Sequence, residues 1–343
     1  MMAAVCAGMS VHGEQPMSAA DAKALIEEAS LKNNLEGDDI KPWHIRLNYQ
    51  VTPPQWPGSK EEGHYEGTIE EWSASDTRSR TEYVVNGKRK RFDVTDNGVY
   101  ESGDLDTVPY SVGAVLTDVL WPMPPTTVLA KLTFAEAQQK IQGIKMRCVA
   151  IAGFVGEKDT GSQIAHNGLR WCIAPADPYL RIVFSSKDIH DYLRNNLLSF
   201  QNRAISGEFI AAGNGRINEK AYVEKLESLP KATDTVFVLP AGAAKKGDKP
   251  VIMTGSISAP IRIFYVSPSY PRIGKINHIS GTVVLRGVIN EEGKMTDLKY
   301  FSGPKLLINP SIDAVKQWRY IPLSMNGKPI PVKTEVNVVY QLR

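Results

Sequence analysis

Two Asn-Gly pairs, Asn86-Gly87 and Asn97-Gly98, punctuate the stretch TEYVVNGKRKRFDVTDNGVYES at residues 81–102. Both central residues of a tight two-residue hairpin turn take positive φ, which Asn and Gly adopt readily, so each pair between alternating segments marks a hairpin. Just upstream, HIRLNYQV alternates Ile45, Leu47, Tyr49 and Val51 with polar neighbours, the period of a strand with one buried face. Residues 43–102 are therefore expected to form an antiparallel meander.

Around it the period changes. SAADAKALIEEASLKNN (18–34) reads as an amphipathic helix with Ser18 as N-cap and Ala22, Leu25, Ile26 and Ala29 on one stripe. VGAVLTDVLWPMPP and TFAEAQQKIQG within 108–142 read as helical, broken by Pro122, Pro124 and Pro125. Strands resume at IKMRCVAIAGF, RWCIA, YLRIVFS and AISGEFIAAGNGR, with GNGR (213–216) as a hairpin turn, while NEKAYVEKLESL (218–229) stays open between helix and edge strand. LPAGAAKKGDKP (239–250) has no periodicity and reads as linker. The expected organisation is an N-terminal segment to residue 17, a β-rich domain over 18–238, a linker over 239–260 and a small domain over 261–343. The fold class is α+β.

The chain has 343 residues, 42% apolar and 22% charged, the profile of an ordinary globular protein. A formal charge of +3 gives no argument for nucleic acid. The charge is uneven, however. Residues 251–343 hold 12 Lys+Arg against 5 Asp+Glu, a net of +7, leaving 28 against 32 elsewhere. A basic tail suits an acidic partner or an anionic surface. The opening MMAAVCAGM is small and apolar, with Val5-Cys6-Ala7 offering a cleavage site; it reads as the end of an export signal or as a loose N-terminus. The expected location is the periplasm, with membrane association left open. No window approaches about 18 apolar residues, the length that spans a bilayer.

Catalytic patterns are absent from the sequence. The histidines at 12, 44, 64, 166, 190 and 278 are scattered without metal-ligand spacing, and no nucleophile elbow, phosphate loop or dinucleotide fingerprint occurs. No cofactor and no metal are expected, and the chain is read as a non-enzyme. Glu70 and Glu71 are neighbours on a strand, so they point to opposite faces and cannot work as an acid–base pair. The run Gly87-Lys88-Arg89-Lys90-Arg91 reads as a solvated turn or an anionic-lipid contact, the former preferred. Cys148 and Cys172 lie in strand-like segments and are expected to form a disulfide in an exported protein. Trp43, Tyr49, Tyr65, Trp72, Tyr83, Phe92 and Tyr100 would line either a concave lipid-binding face or an ordinary core; the sequence leaves both open.

After the linker the pattern restarts. GTVVLRGVIN and MTDLKYFS flank the turn EEGK, and NPSIDAVKQW reads as a short helix with Asn309 as N-cap and Pro310 at the first helical position. In the last strand Val332, Thr334, Val336, Val338, Tyr340 and Leu342 share one face; Lys333, Glu335, Asn337, Gln341 and Arg343 share the other. This β-β-α-β tail resembles the C-terminal domain of the TonB energy-transducer family. The matching positions are Tyr270, Pro271, Gly281, Val283, Gly293, Ser302, Gly303, Ala314, Trp318, Arg319, Tyr320, Pro322, Asn326, Gly327 and Pro329. The resemblance implies that Trp318 and Tyr320 anchor the helix on a small sheet. It also implies that an edge strand, Val332 to Tyr340, pairs with an extended segment of an outer-membrane receptor or other envelope protein. The same edge in two copies would give a homodimer. The membrane-spanning helix and proline-rich spacer of a TonB transducer have no counterpart here. In their place the N-terminal region resembles, in its order of elements, the half-barrel of LolA-type lipoprotein carriers, which implies a lipid or lipoprotein ligand as the alternative role.

Overall fold

The computed structural model describes residues 16–53, 61–75, 77–137, 139–141, 144–154, 169–185, 190–213, 216–229, 234–247, 262–322, 324–325, 328–329 and 331–342. The export-signal stretch with Cys6, His12 and His166, residues 248–260 of the expected linker, and the Asn326-Gly327 turn lie outside them.

Helix α1 (Ala19–Asn33) starts where the sequence places it, with the Ser18 hydroxyl accepting from the Asp21 amide. The meander follows as β1 (Trp43–Val51), β2 (Tyr65–Ser75), β3 (Arg78–Val85), β4 (Lys88–Thr95) and β5 (Gly98–Gly103), each antiparallel to the next. Two helices come next, α2 (Tyr110–Leu120) and the single turn α3 (Thr126–Leu129). The remainder of the region expected as helical is strand: β6 (Leu132–Glu136) and β7 (Gln139–Ile141) both pair with β8 (Ile144–Phe154). Leu132 and Phe134 are buried while Thr133 and Ala135 are exposed, so the alternation that pairing rewards overrode the helix propensity of Ala, Glu, Gln and Lys.

The sheet continues through β9 (Arg170–Ile173), β10 (Leu180–Ser185) and β11 (His190–Asn195). A side hairpin, β12 (Leu198–Phe200) with β13 (Arg203–Ile205), precedes β14 (Glu208–Gly213) and β15 (Arg216–Ser228). The ambiguous 218–229 segment is thus strand, and a central one, held between β1 and β14. A 3-10 turn at Asp234–Phe237 then leads to β16 (Ala244–Gly247), which pairs with β5. This corrects the first part of the expected linker: those residues extend the large sheet and cover its edge strand. The order is β16-β5-β4-β3-β2-β1-β15-β14-β11-β10-β9-β8-β6. One face carries two buried clusters. One gathers α1, α3, β6 and β8 to β10; the other gathers β1 to β3 with Val112, Val115, Leu116, Val119 and Leu120 of α2.

The tail begins with β17 (Arg262–Phe264) and α4 (Arg272–Ile276). Next come β18 (Gly281–Ile289), β19 (Met295–Ser302), a 3-10 turn at Lys305–Leu307 and α5 (Ile308–Val315). β20 (Arg319–Tyr320) pairs with β17, β21 (Ser324–Met325) with β22 (Lys328–Pro329), and β23 (Val332–Tyr340) closes a three-stranded sheet of order β19-β18-β23. The helix starts at Ile308, directly after the 3-10 turn, so Asn309 is inside it and not its cap. It ends at Val315, before Trp318. Strands dominate and helices are few, so the fold is α+β.

Candidate partner-binding edge

Several of the tail's motif residues make specific contacts. At the β18–β19 turn the Asn290 carboxamide oxygen accepts from the Glu292 and Lys294 amides. Gly293 sits at φ +76°, and a Cβ there would lie 2.0 Å from the Tyr320 carbonyl. Only glycine fits this turn, because the Tyr320 amide donates back to Gly293 O at 2.8 Å. Gly303, at φ +122°, is equally committed: its Cβ would meet Thr282 O at 2.4 Å. Gly281 abuts Pro304, Ser302 pairs with Val284, and Pro271 caps α4. Tyr270 donates to Ile279 O and meets the Tyr340 ring edge-on at 5.2 Å.

Trp318 is 1% exposed; its indole N–H donates to Val266 O, and its ring lies against Tyr265 and under the Arg262 guanidinium at 4.2 Å. Tyr320 is also buried, its phenol pushed up to about 12 chiefly by loss of water. Arg319 turns back to donate to the Gln317 and Trp318 carbonyls, and Pro322 is buried. These residues build the module to which β23 belongs.

β23 pairs with β18 along its length, from Val332↔Ile289 to Tyr340↔Gly281. Among the described residues no strand pairs with its other edge. Val332, Val336, Val338 and Tyr340 are buried on α5, Thr334 is half-buried, and Lys333, Glu335, Asn337 and Val339 are exposed. The Tyr340 hydroxyl meets Ser311 Oγ at 3.1 Å, and Ser311 donates to Leu307 O, tying strand to helix. Glu335 is paired with Arg286 at 3.1 Å. What this arrangement offers chemically is a straight row of backbone donors and acceptors on a rigid support.

The large sheet distributes the expected aromatic set over both faces. Trp43, Tyr49 and Tyr83 are buried with α2 in one cluster, with Tyr65 and Phe92 packed at its margin. Trp72 lies on the opposite face, stacked on His44 at 4.7 Å and beneath Arg80 at 4.5 Å. Sequence reading named no partners for His44: it is buried, with Nδ1 3.0 Å from Glu227 and Nε2 2.8 Å from Glu70. No local pattern reveals this, since the three residues meet only through the registers of β2, β1 and β15. In the basic run, Lys88 and Arg89 are exposed, but Lys90 is buried and paired with Glu101 at 3.3 Å, which corrects the solvated-turn reading for that residue. Cys148 and Cys172 are direct partners on β8 and β9, and their sulfurs are bonded. Among the described residues no group of three His, Cys, Asp or Glu side chains is placed to hold a metal, and no helix is long and apolar enough to cross a membrane.

Residues 266–342 match the family model for the Gram-negative bacterial TonB protein C-terminal. The chain is 27% identical over 97 residues to protein TonB of Vibrio cholerae serotype O1, a stretch covering 28% of this chain and 36% of that protein. It therefore spans little more than a third of the curated relative it matches. Among solved structures it is similar to a putative outer membrane lipoprotein-sorting protein domain from Vibrio parahaemolyticus, at 8% identity and a TM-score of 0.38, covering 64% of this chain and 97% of that one. A LolA superfamily protein from Nitrosomonas europaea is similar over the same shares, at 9% identity and a TM-score of 0.35.

Proposed function

We propose that this protein is a non-enzymatic adaptor of the periplasm that docks onto an outer-membrane receptor or another envelope protein by strand addition at β23. The observation that carries the reading is the outer edge of β23, regular over Val332–Tyr340, within the segment that matches the TonB C-terminal family. An extended peptide placed there would gain main-chain hydrogen bonds along its length, with affinity tolerant of its sequence. The net +7 of residues 251–343 favours an acidic segment and speeds its encounter. A carrier role would instead need an open apolar face, and α2 shares the buried cluster of Trp43, Tyr49 and Tyr83.

Successive residues of a strand direct their N–H groups to opposite edges. Of Val338→Pro and Val339→Pro, one therefore removes a bond to β18 and the other a free donor at the edge. The full chain is used to capture proteins from a detergent extract of the envelope. The variant that loses only the free donor is expected to melt like wild type and to lose its partner. If both proline variants fold and retain the partner as tightly as wild type, strand addition at β23 is wrong. A wild-type dimer that the edge variant alone dissolves would assign the edge to self-pairing instead.

A further inference from the structure

The two ends of the C-terminal sheet differ in character. The β18–β19 turn end holds Glu291, Glu292 and Asp297, and there Lys294 and, farther off, Lys131 of the large domain hold the Glu292 carboxyl below its usual range. The other end lies about 30 Å away, the length of the nine-residue β18. There α4 leads into β18 and the 3-10 turn at Lys305–Leu307 follows β19. Residues 272–290 and 298–312 contain no Asp or Glu, while Arg272, Lys275 and Lys305 are all exposed. Among the described residues none of the three forms an ion pair.

The same end exposes large aliphatic side chains. Ile273 and Ile276, three apart and so on one side of α4, are 56% and 65% exposed, and Leu306 is 39% exposed. Gly274 faces inward between them: a methyl group there would stand 3.3 Å from the Tyr270 ring and 3.4 Å from Leu306, which brings the two segments together. The result is an exposed apolar knob flanked in sequence by three cations, the combination of apolar and cationic side chains that an anionic membrane interface receives.

We infer that this end of the module seats on an anionic phospholipid surface, with Ile273, Ile276 and Leu306 entering the interface and Arg272, Lys275 and Lys305 meeting the headgroups. Apolar burial and headgroup attraction add at such a contact, which is how interfacial helices bind. The inference is independent of the strand-addition reading, and it sets a geometry for it. Tyr340 packs on Tyr270, so β23 stands with its C-terminal end toward the bilayer and Val332 away from it.

The test is co-sedimentation of the full chain with vesicles of equimolar phosphatidylglycerol and phosphatidylcholine, against pure phosphatidylcholine. Wild type is expected on the anionic vesicles only. The pair Ile273→Ser with Ile276→Ser should weaken retention at least about tenfold, given the apolar area removed. Arg272→Gln, Lys275→Gln and Lys305→Gln should each weaken it about fivefold. All these positions are exposed, so melting should stay at the wild-type value. Wild-type binding that is absent, indifferent to phosphatidylglycerol, or unchanged in folded variants overturns the inference. So does capture of an acidic peptide at the knob without vesicle binding. Should a variant melt early, wild type decides by itself: about 1 M salt, where the screening length is about 3 Å, must release it from the anionic vesicles, and retention there overturns the proposal.

Discussion

Glu70 and Glu71 are adjacent in sequence, yet they live in different media. Glu70 faces outward, 2.8 Å from His44 and 3.6 Å from Arg46. Glu71 faces inward in register with Ile45 and Thr81, where loss of water pushes its carboxyl up to about 8 against an opposing hydrogen bond from Thr81. The alternation of a strand made this divergence legible; the neighbours in register with Glu71, Ile45 on β1 and Thr81 on β3, come from other strands and were not. Because the folded pKa exceeds the unfolded one, the native state holds a proton that the unfolded chain has lost between about pH 4.5 and 8. Stability should therefore fall as pH rises through that window, with a slope approaching about 1.4 kcal/mol per pH unit at most, and less because Glu71 keeps some surface in water. Urea unfolding of wild type and Glu71→Gln at several pH values checks this. The variant should be flatter across the window, and parallel curves would show that Glu71 does not titrate there.

At the scale of elements, the sequence showed what is local and missed what is imposed. Asn86-Gly87, the Ser18 cap and the alternation of β23 are local signals, and each element they announced exists; the second expected hairpin also forms, but Gly98 pairs with Thr95, so its turn is Asp96-Asn97 and not Asn97-Gly98. β6 and β7 are built from helix-favouring residues and become strands only through β8, about ten residues onward. Likewise β15 takes its place from β1, far away in the chain. At the edge itself, the sequence revealed which side chains of β23 face in, because burial follows period two; that its far side is free depends on sheet order, which no local pattern encodes. The Cys148–Cys172 bond lies between these cases: spacing allowed it, and the β8–β9 register places both cysteines in one buried cluster with Met146 and Ile182. The bond closes a loop of 24 residues, which in the chain-entropy account stabilises by roughly 3 kcal/mol. Denaturation with and without a thiol reductant should separate by about that amount. Equal midpoints, or two free thiols in exported protein, would refute the contribution.

For the whole molecule, the segment WRYIP decides whether the two sheets behave as one body. Trp318 and Tyr320 are buried in the C-terminal module's own cluster, whereas Ile321, the very next residue, is buried in the cluster of α1, α3 and β6, with Phe264 packed beside it. Successive side chains of one extended stretch thus enter two different cores. A tethered module would bury no aliphatic side chain in its neighbour. With one shared, the unfolding of either side exposes apolar surface on the other, and the two should melt together. Truncating a buried isoleucine costs about 2–5 kcal/mol, and a carboxylate in its place adds the penalty of an unpaired charge. Calorimetry of Ile321→Ala should show a lower and broader transition, and Ile321→Asp should split it in two, one part for each sheet. Val315→Ala is the control, since Val315 is buried in the tail's cluster alone and its loss should weaken that module without uncoupling it. If Ile321→Asp melts in a single transition at the wild-type temperature, the modules are not coupled through this residue, and partner binding at β23 cannot be felt by the large sheet along this route.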